Sequence, residues 1–423
     1  MKAKQERTMG RRQFLGAAST AGGLLLIKPG LVRGTAANSA IRLGFLGCGN
    51  RGTGVATAMV NNTNTRVLAL ADLFTDQLEK AKTYWDEVAQ KKDYAGIDPK
   101  LIFKGPKAFQ QIADCKELDA ILLTTPDYFH VEHLEAIVDA GKHVYCEKPA
   151  GVDVVSCKKF IETGKRAEGR LSLVVGFNVR WASQFNELVG RIQSGAIGKI
   201  GLVAGFYHAA GIGYPDRPNA SPLERRIRNF YWDRVLSGDV IVDQNIHIID
   251  LCNWGLEAHP VKAVGTGGRN IRNDSSDIWD HWTVSYTYPG DIHFNFNSIQ
   301  FGESFWDVGI RFLGEKGMGE AYYRRVARIV GANPWTFEGP EAGQTGSATG
   351  DFEGLKDADP NKTRSFITSI TSGKYLNESR AGAESALSAI LGRMACYSGE
   401  EVTWDAMLGS NQSYQGEIDL SKL

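Results

Sequence analysis

Apolar β-runs at 41–46, 66–71, 120–124, 143–146 and 172–176 alternate with stretches at 53–61, 130–140 and 152–167 that read as helices. Buried strands separated by helices are crossover units, so this half of the chain is expected to form a parallel, doubly wound α/β sheet. The pattern then changes. A helix ending near Gly195 leads into β-runs at 199–207, 262–267, 281–288, 292–301 and 308–313, and Pro289-Gly290-Asp291 joins two of them as a hairpin turn. A large open, mainly antiparallel sheet in a C-terminal α+β domain is the expected result. An Ala- and Leu-rich helix over 377–398 closes the second half and is expected to be structural.

Candidate chemistry collects at the strand ends. The first strand runs directly into Gly47-Cys48-Gly49-Asn50-Arg51-Gly52, the turn of an N-terminal Rossmann dinucleotide-binding domain. Gly47 permits the bend, Gly49 lets backbone approach a pyrophosphate, and Gly52 lets the following helix sit close to the sheet. The second strand ends in Asp72, where a carboxylate can accept hydrogen bonds from ribose hydroxyls and would repel a 2′-phosphate. NAD is therefore favoured over NADP, although Arg51 in the turn could serve a phosphate. Ligands of doubly wound sheets bind at the carboxyl ends of the strands, which directs attention to Thr124-Thr125-Pro126-Asp127 and Glu147-Lys148-Pro149.

These two segments, with His130 and Cys146, resemble the Gfo/Idh/MocA family of sugar and cyclitol oxidoreductases. So does 238–250, although this stretch has only Gly238-Asp239 where the family usually has several glycines, and Gln244-Asn245 where a smaller residue is common. The resemblance implies Lys148, Asp243 and His247 as catalytic groups. It also implies cofactor contacts from Gly47, Gly49, Asn50, Arg51, Gly52, Asp72, Thr125, Pro126, His130, Glu147 and Lys148. Asn178 and Arg180 sit where the family often contacts substrate. The residue types suit the task. Asp243, His247 and Asp250 recur at i, i+4 and i+7, which would place them on one helical face. An imidazole can accept a hydroxyl proton near neutral pH, and a neighbouring lysine can stabilise charge developing on oxygen. Burial beside a cofactor would lower the lysine pKa toward proton transfer, with Asp243 orienting or sharing the proton.

The stretch over 209–233 carries Gly211, Gly213, Pro215, Pro218, Pro222 and Arg225-Arg226-Ile227-Arg228. Loops this long are usually functional or interfacial, so a lid over the sugar site and an intersubunit arm both stand. Tyr207, His208, Tyr214, Trp232, Trp279 and His281 are candidates for a sugar-stacking rim or for core. Tyr207, His208 and Trp232 are carried forward as substrate contacts. In the family the outer face of the second sheet makes subunit contacts, which implies a homodimer or homotetramer.

Arg11-Arg12-Gln13-Phe14-Leu15, followed by a modestly apolar stretch and small residues at Ala36-Ala37, reads as a twin-arginine export signal over 1–37. Domains of 38–178 for the nucleotide and 179–423 for substrate and oligomerisation follow from the patterns above. Loss of residues 1–37 would remove seven Lys/Arg and one Glu from the 48 of each, leaving 41 basic and 47 acidic residues. That balance disfavours nucleic-acid binding, and membrane contact is expected only during export to the periplasm. The six cysteines show no CxxC pair and no dense spacing, so buried free thiols are expected; His130 and His133 lack a third ligand, and no metal is expected.

Three functions fit. In the first, tightly bound NAD is reduced by one sugar, cyclitol or glycoside hydroxyl and reoxidised in place, because an exported enzyme meets no cofactor pool. In the second, an NAD-dependent glycoside hydrolase couples transient oxidation to elimination, hydration and reduction. The third is a non-catalytic carbohydrate-binding protein.

Overall fold

Six parallel strands form the first sheet: β1 (Ile41–Leu46), β2 (Thr65–Asp72), β3 (Ile102–Lys104), β4 (Ala120–Leu123), β5 (His143–Cys146) and β6 (Leu173–Val175). Between them run α1 (Asn50–Asn62), α2 (Thr75–Lys91), α3 (Ala108–Asp114), α4 (His130–Asp139) and α5 (Val154–Ala167). The strand order is β3-β2-β1-β4-β5-β6. It reverses between β1 and β4, which opens a crevice at their carboxyl ends. The computed structural model describes residues 39–303, 306–338 and 352–423, and the twin-arginine segment lies outside them.

The second sheet has nine strands in the order β14-β13-β12-β11-β7-β10-β9-β8-β15. Its long members are β7 (Ile200–Ala209), β8 (Lys262–Gly268), β9 (His281–Tyr288), β10 (Ile292–Gln300) and β11 (Trp306–Gly314). The short ones are β12 (Gly317–Tyr322), β13 (Arg328–Gly331), β14 (Trp335–Thr336) and β15 (Val402–Thr403). All pairings are antiparallel except β7 with β10. The hairpin at 289–291 forms as its residues require, with φ of 78° at Gly290 and 59° at Asp291.

In chain order the remaining helices are α6 (Ser183–Gln193), α7 (Pro222–Arg228), α8 (Arg234–Ser237), α9 (Val240–Asp243), α10 (Ile246–Leu256), α11 (Ala358–Ser372), α12 (Ser379–Ser398) and α13 (Trp404–Ser410). Helix α10 covers one face of the second sheet: a side chain at Gly205 would run into Ile248 at 2.7 Å. Val203, Tyr207 and Ala209 are buried on that face, while Leu202, Ala204, Phe206 and His208 point to the opposite, half-exposed one. Helix α12 packs against both β8 and α5. Its buried Arg393 donates to the carbonyls of Val152 and Gly238, each at 2.8 Å, which ties the closing helix to both halves. All six cysteines are free thiols and five are buried.

Candidate active site

A cavity of about 580 Å³ opens at the carboxyl ends of β1, β2 and β4. The glycine turn forms one wall. Gly47 has φ 89°, and a side chain there would come within 2.6 Å of the Thr124 backbone. A methyl group at Gly52 would overlap the Thr124 side chain and the Phe45 ring, so α1 can lie this close to the sheet only with glycine. Gly49 faces open space. Helix α1 has neither a capping side chain nor an acidic residue in its first turn, so its leading N–H groups can meet an anion. Asp72 accepts hydrogen bonds from the Cys48 N–H (2.7 Å) and the Phe74 N–H (2.9 Å), which fixes its carboxylate at the rim. Asn50, Thr125 and Pro126 also line the cavity. N–H donors for a diphosphate beside a fixed carboxylate for ribose hydroxyls form a set that fits a dinucleotide.

Three residues expected on that wall stand behind it. Arg51 pairs with Glu147 at 2.9 Å and with Asp359 of α11 at 2.8 Å. Both carboxylates are buried. The guanidinium thus fastens the glycine turn to β5 and α11. His130 is fully buried, with Nδ1 at 2.8 Å from the Pro149 carbonyl and Nε2 at 2.8 Å from the Thr125 carbonyl. Burial outweighs both carbonyls and pulls its pKa down to about 4; the neutral ring has a single N–H, so it donates to one of the two carbonyls, and only the protonated ring would donate to both.

The 209–233 stretch, with α7 inside it, reaches over the nucleotide cleft of its own chain. Arg217, Arg228 and Phe230 line the cavity, and so does Leu420 from the C-terminal tail. Arg228 donates to Asp76 at 2.6 and 3.0 Å and lies 3.8 Å from the centroid of the Phe74 ring. Arg226 pairs with Asp233 and donates to the Gly416 carbonyl at 2.5 Å, while the Gly416 N–H donates to the Tyr128 hydroxyl at 3.1 Å. Insert and tail therefore hold each other above the cavity.

At the ends of β4 and β5 the structure brings Lys148 and Asp243 together. Lys148 Nζ donates to the Asp243 carbonyl at 2.6 Å and to its Oδ1 at 3.2 Å. Burial opposes charge on Lys148, but the acidic groups around it, Asp243 first, outweigh it and raise its pKa. The direction is opposite to the lowering expected from burial beside a cofactor, and it favours Lys148 as an ammonium donor. His247 behaves oppositely: burial, then the charges of Lys148 and Arg51, hold its pKa well below the usual imidazole value. Its Nδ1 is buried without a hydrogen-bond partner among the described residues, and its ring meets the Phe177 edge at 6.2 Å.

The single helical face expected for Asp243, His247 and Asp250 is not formed. Gln244 and Asn245 both donate backbone N–H groups to the Val240 carbonyl, which ends α9, and Ile248 and Ile249 both bond back to the Asn245 carbonyl as α10 begins. Asp250 turns instead to Arg180, at 2.6 and 2.8 Å, and to the Ser385 hydroxyl at 2.7 Å. Arg180 is thus held by a buried carboxylate. Asn178 is 1 % exposed and its Nδ2 lacks a partner among the described residues. Tyr207 packs in the core against Trp306 and Tyr323, and His208, bonded to Asn297, lies on the opposite face of the sheet, away from Lys148. Trp232 is edge-on to Tyr214 and donates to the Ile212 carbonyl at 3.3 Å inside the insert, while Trp279 packs on Trp282 and Tyr397.

Tyr231 and Gln300 come in unannounced, and Asp127 comes from the strand-end segment already singled out. Gln300 donates to the Tyr231 hydroxyl and, at 3.1 Å, to Gln244 Oε1, and the Tyr231 pKa is raised by burial and by Asp243. Asp127 is 5 % exposed beside Asp243 and Lys148. Its place one residue past a strand-end proline was the available signal.

Comparison with known proteins agrees with this geometry. Residues 41–176 match the oxidoreductase family model with an NAD-binding Rossmann fold, and residues 185–320 match the GFO/IDH/MocA C-terminal domain. The chain belongs to the Gfo/Idh/MocA family. It is an NAD(P)-dependent oxidoreductase of that type. Inositol 2-dehydrogenase of Rhizobium meliloti (strain 1021) is 28% identical over 298 residues, 68% of this chain and 78% of the relative. Aldose-aldose oxidoreductase from Caulobacter crescentus, solved with glycerol, has the same fold at a TM-score of 0.65 and 20% identity, over 86% of this chain and 99% of its own. Levoglucosan dehydrogenase, solved with NADH and L-sorbose, superposes with a TM-score of 0.67 at 16% identity, over 86% and 98%.

Proposed function

We propose that this family member oxidises a hydroxyl of a small sugar, cyclitol or glycoside, with an NAD that stays bound and is restored in place. The observation that carries the reading is a buried lysine, Lys148 on Asp243, near an imidazole, His247, whose pKa is held low and whose Nδ1 has no partner among the described residues. When bound, the nicotinamide supplies the hydride acceptor. The protein's groups manage the proton. His247 Nδ1 takes the proton of the reacting hydroxyl as its carbon gives up hydride, and Lys148 donates a hydrogen bond to that oxygen as it becomes a carbonyl. Asp243 holds Lys148 in place. The inositol and aldose relatives support a polyol or sugar as substrate, and the fixed carboxylate of Asp72 supports NAD over NADP.

Retention of the cofactor draws support from the insert and tail over the cleft. It also suits the compartment we propose: residues 1–37 act as a twin-arginine signal, the folded protein leaves with its cofactor, and domains of 38–178 and 179–423 divide nucleotide from substrate. We further propose a homodimer or homotetramer built through the half-exposed face of the second sheet. The test is a panel of polyols and glycosides, followed by absorbance of the co-purified cofactor together with aglycone release. Lasting reduction without cleavage supports the oxidoreductase. Cleavage without net reduction would replace it with the glycosidase, and silence in both with sugar affinity would replace it with a binding protein.

A further inference from the structure

Gln300 closes β10 beside the residue that follows Asp243, and it is 1 % exposed. Its side-chain amide meets Arg272, Gln244 and Tyr231. Arg272 Nη2 lies 3.2 Å from Oε1, Gln244 Oε1 lies 3.1 Å from Nε2, and the Tyr231 hydroxyl is also on Nε2. A guanidinium can only donate, so the amide atom facing Arg272 must be the carbonyl oxygen and the other must be the nitrogen. Arg272 is itself anchored. Its Nη1 pairs with Asp274, its Nη2 also donates to the Ile212 carbonyl at 2.9 Å, and its side chain is 5% exposed. The direction of the network is therefore fixed. One Nε2 hydrogen goes to Gln244 and the other to Tyr231, whose oxygen is an acceptor. A phenol that accepts still has its own hydrogen to give, and among the described residues no acceptor meets it. Burial, then the charge of Asp243, raise the Tyr231 pKa, so the hydrogen stays on the oxygen.

Tyr231 sits in the turn Phe230–Trp232 of the insert, and its neighbour Phe230 lines the cofactor cavity. Through Gln300 it is joined to Gln244, next to the Asp243 carbonyl that holds Lys148. The phenol is thus tied both to the wall of the cavity and to the backbone beside the reacting groups. We propose that Tyr231 is a substrate-binding residue whose O–H donates to a hydroxyl oxygen of the bound carbohydrate, and that Gln300 is the positioning residue that keeps it a donor. The ligand rests on the functional reading above; the direction of the network rests on the hydrogen bonds alone. Because Gln300 cannot accept from Tyr231, the phenol selects compounds that present an oxygen lone pair at that point. A deoxy compound leaves the O–H without a partner and binds less well.

Calorimetry on the full-length holoenzyme with myo-inositol, glucose and their monodeoxy forms tests this. In wild type, loss of one particular hydroxyl should weaken binding about threefold to tenfold, the effect of one neutral hydrogen bond. Tyr231→Phe should weaken the parent compound by that same factor and become indifferent to that hydroxyl, while the other deoxy forms lose as much as they do in wild type. Gln300→Glu turns the network round, since its carboxylate accepts the Tyr231 O–H, and should reproduce this pattern with the phenol still present. In turnover both variants should raise KM by more than they lower kcat. A tyrosine that only packs the insert would weaken every compound equally. That result, a wild-type pattern in Q300E, or no binding of either parent compound would overturn the proposal. Binding with the expected pattern but without reduction of the bound NAD would sink the oxidation and leave Tyr231 standing, whereas reduction without the pattern would do the reverse.

Discussion

Removing Arg228 should loosen the cover of the nucleotide cleft without touching the glycine turn or Lys148. Arg228 is the point where α7 meets the rim of the cofactor-binding half. It donates twice to Asp76, lies 3.8 Å over the Phe74 ring and is 14% exposed. Asp76 is 59% exposed, so solvent screens that ion pair and it contributes only about 0.5 kcal/mol. The cation–π contact adds about 1 kcal/mol and the packed stem about 0.5 kcal/mol. Loss of about 2 kcal/mol shifts the balance between covered and uncovered cleft roughly thirtyfold. If cofactor leaves only when the cover lifts, Arg228→Ala should speed release by about that factor, while the onset of hydride transfer from a saturating substrate changes little. The assay is dilution of NADH-loaded protein into an excess of a scavenging dehydrogenase, followed by NADH fluorescence. Asp76 has its pKa lowered, chiefly by Arg228, so its contribution is present above the ordinary carboxylate range and fades as pH falls through it; wild-type release should quicken there. Release equally slow in Arg228→Ala and in a chain truncated after Gly416 would refute the cover as the cause of retention. So would exchange of wild-type cofactor on mixing.

Four further outcomes follow from the same geometry. Arg51→Ala strands Glu147 and Asp359 as buried, unpaired carboxylates and should cost about 3–5 kcal/mol, read as a lower urea midpoint at pH 7. His247→Asn removes the group assigned to the hydroxyl proton and should lower kcat by about two to four orders of magnitude with cofactor affinity intact. Since burial holds the His247 pKa well below 6.5, the acid limb of wild-type kcat/KM should fall below that value, and a limb centred at 6.5 would argue against His247 as the base. Asp127 has its pKa raised by burial and by Asp243, so the stability it gives is fully present below its unfolded pKa and is lost as pH rises toward the folded one. Asp127→Asn should therefore gain thermal stability over wild type, with a gain that grows from about pH 4 upward; a constant difference would contradict this.

The parallel sheet, the glycine turn with Asp72, and Lys148 at a strand end were legible because each follows from a local rule. Alternating strands and helices leave few topologies, and Gly47 and Gly52 answer to a backbone bend and a close helix that no other residue permits. Periodicity failed where a distant partner took precedence. Asp243, His247 and Asp250 have helical spacing, yet the chain breaks at Gln244-Asn245, where Asn245 accepts a bond from Ser298 of β10 at 2.7 Å, and Asp250 turns to Arg180. His208 and Tyr207 are neighbours in sequence and opposites in the sheet, a distinction that depends on which face α10 covers. Arg51 reads as a phosphate ligand until Asp359, 308 residues away, claims it. Asp127 and Lys148 carry the same lesson in their charge. A sequence states which groups can titrate, but their protonation depends on the field of neighbours from other strands, and only the folded chain brings Asp127, Asp243 and Lys148 into one dry cluster.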